Sequence, residues 1–584
     1  MREVSTAPLA DLSAYRNVTD LLTRRVDEAP DHVAFDVREG ERWRPVTTAA
    51  FAAEVSAVAK GLLADGLRPG DAVAIMAPTR YEWAVADLAV WFAGGVVVPV
   101  YDSSAPSQVA AIVADAGVRV AFFGDERSRS ALTAAGVPTV LSLTRGLADL
   151  AARGGLVDDA ALERARTDAG PTSPATIVYT SGTSGTPKGV VLSHENFLGQ
   201  VLNIAAAYSD IVRADGSTVI FLPLAHVLAR GLQLICLASG MRIAHLSEPS
   251  EVVASLAELR PTFLVVVPRI LEKIAAAAGA KAADKHLGRV WDAAVRTATE
   301  LARREEQIDD GERPASSWSL ELRRRVFDAL FYRRIRGLMG GRIGYVLSGG
   351  ATLPSRLSLL FRGMGIPVIE GYGLTETTAP LTGNLPGRIR SGTVGVPLPG
   401  STVRIADDGE VLAKGVGVFA GYRNADDDRD AFVDGFFRTG DLGRLDERGR
   451  LVLEGRVKDV VTTSGGKTVA PARWEAAIEE HPVISSAVTV GKGRPYLTAL
   501  IVLDQDAVTA ARGSAVALDD PDLRAEVQRA VDEANALVSR SEQVRRFALV
   551  FADAEDREVV TPTLKIRRRQ LLDRESGTID ALYL

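Results

Sequence analysis

The sequence predicts an α/β protein: a large N-terminal domain of helix-covered, mostly parallel sheets with a β-rich subdomain, then a small α+β C-terminal domain. Before about residue 385, short apolar runs alternate with amphipathic helical patterns, which is typical of parallel sheets covered by helices. From about residue 400, D-G and R-G turns between alternating runs predict hairpins. The predicted strands of the first part are DAVAIMA (71–77), VRVAFFG (118–124), STVIFLP (217–223), TFLVVVP (262–268) and IGYVLSG (343–349).

The same sequence patterns suggest where the domain boundaries lie. The N-terminal domain is expected to cover 1–455 and the C-terminal domain 456–584. Within the first, a charged, Ala-rich stretch at about 272–338 reads as a helical insertion, and about 385–455 as the β-rich subdomain. The later part of the insertion is an Arg-rich amphipathic helix. Such a helix can touch an anionic membrane, although a solvated helix face is the simpler interpretation.

Composition narrows the classes of function. The chain has 584 residues, 47% of them apolar, and a net charge of −6, which argues for a soluble globular protein and against a nucleic-acid partner. A single cysteine, Cys236, permits no intrachain disulfide and suits a reducing cytosol. The N-terminus lacks the apolar core of a signal peptide. We therefore expect a cytoplasmic location.

The most informative stretch is TIVYTSGTSGTPKGVVLSHEN, residues 176–196. Its hydroxyls, glycines and one lysine suit a phosphate, because glycine lets backbone N–H groups approach closely. It is not a P-loop, since Pro187 stands where the second glycine belongs and Gly189 follows the lysine. A flexible linker is the alternative, but β-rich runs flank the loop on both sides. The candidate ligand-binding residues are Thr180, Ser181, Gly182, Thr183, Ser184, Gly185 and Lys188.

Further motifs supply the other groups that a nucleotide needs. In IEGYGLTETTAP (369–380), Tyr372 offers a flat face to a purine, Thr375 a hydroxyl, and Glu376 a hard oxygen for Mg²⁺. A tight turn with a helix-capping threonine is the alternative interpretation. Asp441 can accept hydrogen bonds from both ribose hydroxyls. The remaining candidates are Gly349, Gly350 and Ala351 in YVLSGGA, Gly371 and Gly373 beside the tyrosine, Arg456 for a phosphate, and Lys565 near the C-terminus.

Together these motifs resemble the adenylate-forming superfamily. Y-T-S-G-T-S-G-T-P-K-G, G-Y-G-L-T-E-T, T-G-D-L, G-R-V-K-D and T-P-T-L-K occur in its order and spacing, from about residue 20 to 570. Within the superfamily the chain is similar to long-chain fatty-acid–CoA ligases. The features that carry this finer likeness are PLAHVLAR (223–230), VPRILEKI (267–274), the helical insertion and TSGGKTVAP (463–471).

The resemblance implies an AMP-forming acid–thiol ligase that uses ATP, Mg²⁺ and coenzyme A. The loop of Thr180 would hold the β- and γ-phosphates, and Thr180 with Glu376 would help to hold the metal ion. Tyr372 and the turn at 349–351 would flank adenine. Lys565 would bridge the attacking fatty carboxylate and the α-phosphate.

The resemblance also implies a second half-reaction that forms the thioester. The C-terminal domain would act as a mobile lid that turns about a hinge near Lys458, bringing Gly465 towards the pantetheine channel. His226 would lie near the acyl carboxylate and its tunnel gate; a satisfied core histidine is the alternative. A water-poor substrate would suit peripheral attachment to the inner face of the membrane.

Other functions stay open at this point. A fatty acyl-AMP ligase that loads a carrier protein typically has an extra segment near the domain boundary, and none is visible between Gly455 and Asp459. A medium-chain or aryl-CoA ligase is a second alternative. A non-catalytic nucleotide-binding regulator would more typically lack Glu376 or Lys565. Acyl chain length and oligomeric state do not follow from the sequence.

Overall fold

A computed structural model describes residues 1–181, 187–248, 251–315, 317–512, 517–552, 556, 558–560 and 566–584. Side chains are included for all of these except Ser181, Asp506, Ala510 and Ala511. The strands are β1 (Glu3–Thr6), β2 (Val33–Glu39), β3 (Arg42–Thr47), β4 (Ala72–Met76), β5 (Val96–Val100), β6 (Val120–Phe123), β7 (Thr139–Ser142), β8 (Pro174–Ser181), β9 (Pro187–Ser193), β10 (Ser217–Ile220), β11 (Arg242–His245), β12 (Phe263–Val266), β13 (Tyr345–Ser348), β14 (Val368–Leu374), β15 (Ala379–Gly383), β16 (Val396–Pro397), β17 (Ser401–Ile405), β18 (Glu410–Gly415), β19 (Gly421–Tyr422), β20 (Phe432–Val433), β21 (Phe436–Leu445), β22 (Leu451–Arg456), β23 (Val461–Thr462), β24 (Thr468–Val469), β25 (Ile484–Val490), β26 (Leu497–Leu503) and β27 (Val544–Phe551).

Helices connect and cover these strands. They are α1 (Asp20–Glu28), α2 (Thr48–Ala64), α3 (Tyr81–Phe92), α4 (Pro106–Ala116), α5 (Glu126–Ala134), α6 (Arg145–Arg153), α7 (Asp159–Asp168), α8 (His194–Ala207), α9 (Val227–Ser239), α10 (Val252–Leu259), α11 (Pro268–Ala283), α12 (Gly288–Asp309), α13 (Trp318–Phe327), α14 (Arg333–Leu338), α15 (Ser355–Gly363), α16 (Ala472–Ile478), α17 (Gln505–Arg512), α18 (Pro521–Ala536), α19 (Arg568–Arg574) and α20 (Ser576–Ala581).

Two large sheets form the body of the N-terminal part. One has the strand order β19-β9-β8-β5-β4-β6-β7 and the other the order β16-β15-β14-β13-β12-β10-β11-β2-β3. Neighbours in the middle of each sheet are parallel, and antiparallel pairs lie at the edges. Parallel strands buried on both faces need continuous apolar runs, which β4 and β5 have. The predicted fold class is confirmed, including all five predicted strands.

The core lies between the two sheets, around helix α3. Every residue of α3 except Glu82 is buried, because helices and strands surround it on nearly all sides. Inside this core one ion pair joins Arg230 of α9 to Asp87 of α3, and the guanidinium also stacks near Trp83, Trp91 and Phe197. The pair holds the second sheet's helix to the first sheet's helix.

Three further units surround this body. Between β12 and β13, four helices run from Pro268 to Leu338, where the sequence predicts a helical insertion, and a π-helical turn at Asp328–Tyr332 joins α13 to α14. The β-rich unit has the order β1-β17-β18-β21-β20, with β22 paired to β21. Strand β1 comes from the N-terminus and was not predicted. The C-terminal part contains the β23–β24 hairpin and the sheet β25-β26-β27 with helices α16 to α20.

No helix in the described part of the chain combines the length and the apolar character that crossing a bilayer requires.

Candidate active site

A large cavity of about 3060 Å³ lies between the N-terminal body and the C-terminal part. Strands from both large sheets and from the β-rich unit end at its wall. Most of the residues predicted from separate motifs meet here, although they are far apart in the chain. The predicted residues that line it are Thr180, Lys188, His226, Gly349, Gly350, Ala351, Gly371, Tyr372, Gly373, Thr375, Glu376, Asp441 and Arg456.

Thr180 and Lys188 face each other across the β8–β9 hairpin, where their Cα atoms are paired in register. The Lys188 Nζ lies 2.8 Å from Asp427 Oδ1 and 5.2 Å from the ring centroid of Tyr422. A carboxylate and an aromatic face therefore hold the ammonium group at the hairpin base. The predicted residues at the tip, Gly182, Thr183, Ser184 and Gly185, and the Ser181 side chain lie outside the described residues.

Tyr372, Asp441 and Arg456 form a polar cluster in which Tyr372 and Asp441 are buried and Arg456 is exposed. The Tyr372 hydroxyl donates to Asp441 Oδ2 at 2.7 Å, and Arg456 Nε lies 2.9 Å from the other oxygen of the carboxylate. Asp441 and Arg456 are opposite each other in the β21–β22 pair, which fixes their contact. Burial, followed by the charge of Asp441, raises the pKa of Tyr372 well above its ordinary value of 10. The tyrosine is therefore a neutral hydrogen-bond donor at physiological pH.

Glu376 is a second buried carboxylate that lines the cavity. The Tyr422 hydroxyl donates to its Oε1 at 3.0 Å, and burial raises the pKa of the carboxyl above its ordinary value of 4.5. Among the described residues Glu376 has no ion-pair partner, so a cation beside it would relieve the cost of burying the charge. Tyr422, which donates this hydrogen bond, is also the aromatic residue whose ring lies beside Lys188.

The turn after Glu376 has a strained backbone. Thr378 and Ala379 have φ of 54° and 71°, a conformation that residues with a Cβ rarely adopt. The Thr378 hydroxyl donates to the Gly417 carbonyl at 2.7 Å, which helps to hold this conformation. Each such residue costs about 1–2 kcal/mol. No pattern in the sequence predicted these positive φ values close to Glu376.

The glycines of the site serve different purposes. At Gly373 a Cβ would lie 2.3 Å from the Ala379 carbonyl oxygen, so the β14–β15 pairing itself requires glycine. At Gly371 and Gly349 a Cβ would lie 3.4 Å and 3.3 Å from the nearest neighbouring atom, so there is little room for any side chain at these positions. Gly350 has φ of +81°, which lets the chain turn into the cavity ahead of Ala351.

The magnesium ion that the motifs suggest fits the chemistry of the donors. Thr180 supplies a hydroxyl and Glu376 a carboxylate without a counter-ion, both hard oxygens. The described residues contain no group of three His, Cys, Asp or Glu side chains arranged to hold a metal. Mg²⁺ in phosphoryl chemistry usually takes only one or two carboxylates and completes its shell with phosphate oxygens and water. The sparse protein donors therefore agree with an ion that arrives with a nucleotide.

An apolar pocket adjoins the cavity. It lies between α8, α9 and the strands β12 to β15, and Leu228, Leu347 and Ala379 belong to both walls. In its present form the pocket has only about 40 Å³ of free volume. His226 stands at the start of α9, two residues before Leu228, and its Nδ1 accepts a hydrogen bond from the Leu228 N–H at 3.1 Å. Sequence reasoning missed this pocket because its lining residues look like ordinary core.

The C-terminal part closes the cavity from the other side. Arg568 makes two hydrogen bonds to Glu475, at 2.7 Å and 3.0 Å, and Arg269 of α11 pairs across the domain boundary with Asp504. Burial lowers the pKa of Lys458, the predicted hinge residue. Gly465 borders open space apart from a distant Thr463 hydroxyl. Lys565 lies outside the described residues, so its predicted position is not tested by the geometry.

Comparison with protein families identifies the chain. A family model described as AMP-binding enzyme matches residues 22–423, and one described as AMP-binding enzyme C-terminal domain matches residues 458–584. The chain belongs to the AMP-binding enzyme family. This confirms the resemblance that the motifs suggested.

Some relatives align with the chain over its whole length or nearly so. It is 36% identical to long-chain-fatty-acid–CoA ligase FadD15 of Mycobacterium bovis, with 100% of both chains aligned. A solved structure of an anthranilate CoA ligase, AuaEII, with anthranoyl-AMP bound has a TM-score of 0.73 at 18% identity, covering 98% of this chain and 99% of that one. A Mycobacterium tuberculosis fatty acyl CoA synthetase has a TM-score of 0.63 at 24% identity, covering 96% and 99%. The two structures establish the shared fold.

Proposed function

We propose that the protein is a long-chain fatty-acid–CoA ligase that works through an acyl-adenylate. The observation that carries the proposal is the cavity. Its lining includes the Tyr372–Asp441–Arg456 cluster and also the hydroxyl of Thr180, the ammonium of Lys188 and the carboxylate of Glu376. Together these supply groups for a ribose, for phosphates and for a metal ion. Full-length similarity to a long-chain-fatty-acid–CoA ligase supports this choice of reaction.

In the first half-reaction, an oxygen of the fatty carboxylate attacks the α-phosphorus of ATP, and the bond from that phosphorus to pyrophosphate breaks. Asp441 accepts from the ribose hydroxyls, so that the α-phosphate is held in one place. Lys188 turns from Asp427 to the phosphates, which is feasible because both partners are only partly buried. Thr180 and Glu376 would hold Mg²⁺, which would supply positive charge to neutralise the phosphates.

Two anions must meet in this step, so a cation between them is required. We assign that role to Lys565, which would contact the carboxylate and the α-phosphate. Loss of one preorganised donor of this kind costs roughly 10²–10³ in rate. In the second half-reaction, the coenzyme A sulfur attacks the acyl carbonyl, the bond to AMP breaks and the thiol proton is released.

The acyl chain would enter the apolar pocket beside the cavity. Its lining from Phe197 to Ile235 on α8 and α9 is almost wholly apolar, as a hydrocarbon chain requires. The present volume of about 40 Å³ is far below the roughly 300–1,000 Å³ of typical ligand pockets, so long chains require the lining to open. The side chain of Leu228, shared by both walls, is the natural gate.

The reaction is tested by product analysis. Purified protein with ATP, Mg²⁺, coenzyme A and acids from acetate to oleate should yield AMP, pyrophosphate and acyl-CoA, with the highest rate for long chains. Acyl-AMP without thioester would instead identify a ligase that serves a carrier protein. A preference for medium-chain or aryl acids would correct the substrate class, and ADP or no turnover would refute the proposal.

The role of Lys565 has its own test. Lys565→Ala should lower acyl-adenylate formation about a hundredfold or more and spare thioester formation from supplied acyl-AMP. Lys281→Ala, which removes an exposed lysine from helix α11, is the matched control. Equal losses in both half-reactions would contradict the assignment.

A further inference from the structure

The outer face of helices α13 and α14 carries an unusual set of exposed side chains. Trp318, Leu322, Val326, Leu330 and Leu338 are between 39% and 79% exposed. These five large apolar side chains belong to one segment of 21 residues. Contiguous exposure of this kind marks an interaction surface, whereas single exposed apolar residues are normal.

The spacing places the exposed apolar side chains of α13 on one face. Trp318, Leu322, Val326 and Leu330 recur every fourth residue, so at about 100° per residue the first three span an arc of only about 80°. The opposite face anchors the segment to the protein through Leu320, Phe327, Tyr332 and Ile335, all buried. The helix is therefore firmly seated, and its apolar outer stripe, which we call the Trp318 face, is not an unfolded edge.

Arginines flank the stripe. The segment 318–338 has six arginines and two acidic residues, a net charge of +4 in a chain whose total is −6. Both acidic residues are already engaged, Glu321 by Arg324 and Arg325, and Asp328 by Arg336. Arg333 and Arg334 are exposed and have no ion-pair partner among the described residues. The Trp318 face thus combines an apolar stripe with uncompensated positive charge.

We propose that the Trp318 face docks the protein on an anionic lipid bilayer, with the tryptophan and leucines in the acyl boundary and the arginines at the phosphates. An interfacial helix of this type needs both components, an apolar face and a basic flank. Charge complementarity argues against a second copy of the chain as the occupant. In a twofold dimer the face would meet itself, placing arginine against arginine.

The position of the segment 318–338 in the fold agrees with a docking role. Strands β12 and β13 are adjacent and parallel, and one helix is enough to connect such a pair. Here four helices do so, and α13 and α14 are the ones with the exposed stripe. The proposal is independent of the reaction proposed above, since it depends only on surface side chains outside the cavity.

Trp318 makes a direct test possible. All six tryptophans lie within the described residues, and Trp318 alone is exposed. Full-length protein is mixed with vesicles of brominated phosphatidylcholine alone, or of brominated phosphatidylcholine with phosphatidylglycerol, and its tryptophan emission is recorded. The anionic vesicles should quench and blue-shift the emission, and the zwitterionic ones should not. Trp318→Phe should still sediment with anionic vesicles but lose most of the quenching.

Two paired variants separate the contributions in a co-sedimentation assay. Leu322→Ser with Val326→Ser should weaken binding to anionic vesicles at least tenfold. Arg333→Gln with Arg334→Gln should weaken it roughly tenfold or more, and added salt should weaken binding of the native protein. Leu156→Ser with Arg127→Gln, an exposed pair elsewhere, should bind as the native protein does.

The proposal is overturned by either of two results. One is that the native protein does not bind anionic vesicles, or that the paired variants bind them as well as the native protein does while circular dichroism shows that these variants are folded. The other is a native dimer, seen by sedimentation velocity, that Leu322→Ser dissociates in the absence of lipid. That result would assign the Trp318 face to a second copy of the chain.

Discussion

Glu370 is expected to make the stability of the protein fall as pH rises. It lies in strand β14, is only 5% exposed, and accepts a hydrogen bond from the Leu353 N–H at 3.1 Å. Among the described residues it has no ion-pair partner. Burial raises the pKa of its carboxyl from 4.5 to about 8, so the folded protein holds a proton there at neutral pH.

The magnitude follows from linkage. Between these two pKa values the folded state binds a proton that the unfolded state has lost, so the free energy of unfolding falls with increasing pH. Each pKa unit corresponds to about 1.4 kcal/mol, and the span from 4.5 to about 8 gives a total of about 5 kcal/mol. The effect is absent below the lower value and complete above the upper one.

Glu370→Gln tests this directly, because glutamine copies the protonated carboxyl and keeps an acceptor for Leu353. Urea unfolding followed by circular dichroism should show nearly equal stability of variant and native protein at about pH 4, below the ordinary pKa of the carboxyl. At about pH 9 the variant should be more stable by up to about 5 kcal/mol. Glu41→Gln, an exposed control, should follow the native protein. Parallel curves for Glu370→Gln and native protein over this range would refute the reasoning.

Three further substitutions test other contacts. Asp441→Asn should weaken ATP binding at least tenfold in a calorimetric titration, since hydrogen bonds to a charged group contribute about 1.5–3 kcal/mol each; unchanged affinity would remove Asp441 from the ribose site. Arg269→Glu should change the ratio of the adenylation rate to the thioester rate several-fold, because it breaks the ion pair with Asp504. Adding Asp504→Arg should restore the ratio. If the double variant does not restore it, this ion pair has no interdomain role. Arg230→Met should destabilise the protein by about 3–5 kcal/mol in thermal unfolding, because it leaves the buried Asp87 carboxylate unpaired. Adding Asp87→Leu should recover much of that stability. If the double variant is as unstable as the single one, the unpaired charge is not the cause of the loss.

Much of the fold could be predicted because its physical causes are local. A strand buried on both faces must be a continuous apolar run, and β4, β5 and β12 are such runs. Motif residues could also be grouped in advance, since ligand sites in open α/β sheets lie at the carboxyl ends of strands. Gly349 follows β13 directly, and Tyr372 and Glu376 lie in and just after the final residues of β14.

What could not be predicted depends on contacts between distant residues. Strand β1 pairs with β17 almost 400 positions later, and nothing in a four-residue run identifies its partner. Arg230 reads as a polar residue of an amphipathic helix, yet it is buried against Asp87. The sequence predicts an Arg-rich amphipathic helix in this region but not which apolar side chains face outward, because the π-helical turn between α13 and α14 changes the angular register of a regular helix.

Two charged groups of the site, Asp441 and Lys188, already have partners, and this constrains how the site can select a ligand. Both oxygens of Asp441 have donors, and Lys188 has a carboxylate partner, Asp427. An anionic ligand must therefore displace Asp427 to reach Lys188, whereas each oxygen of Asp441 can accept a further hydrogen bond beside its present donor. Lys188 and Asp427 are each about a quarter exposed, 29% and 26%, so water assists their exchange, which a wholly buried pair would resist. A polyphosphate carries enough charge to displace Asp427 from Lys188, whereas a neutral molecule of the same shape does not. The pairing thus favours a triphosphate over uncharged competitors before any chemistry begins.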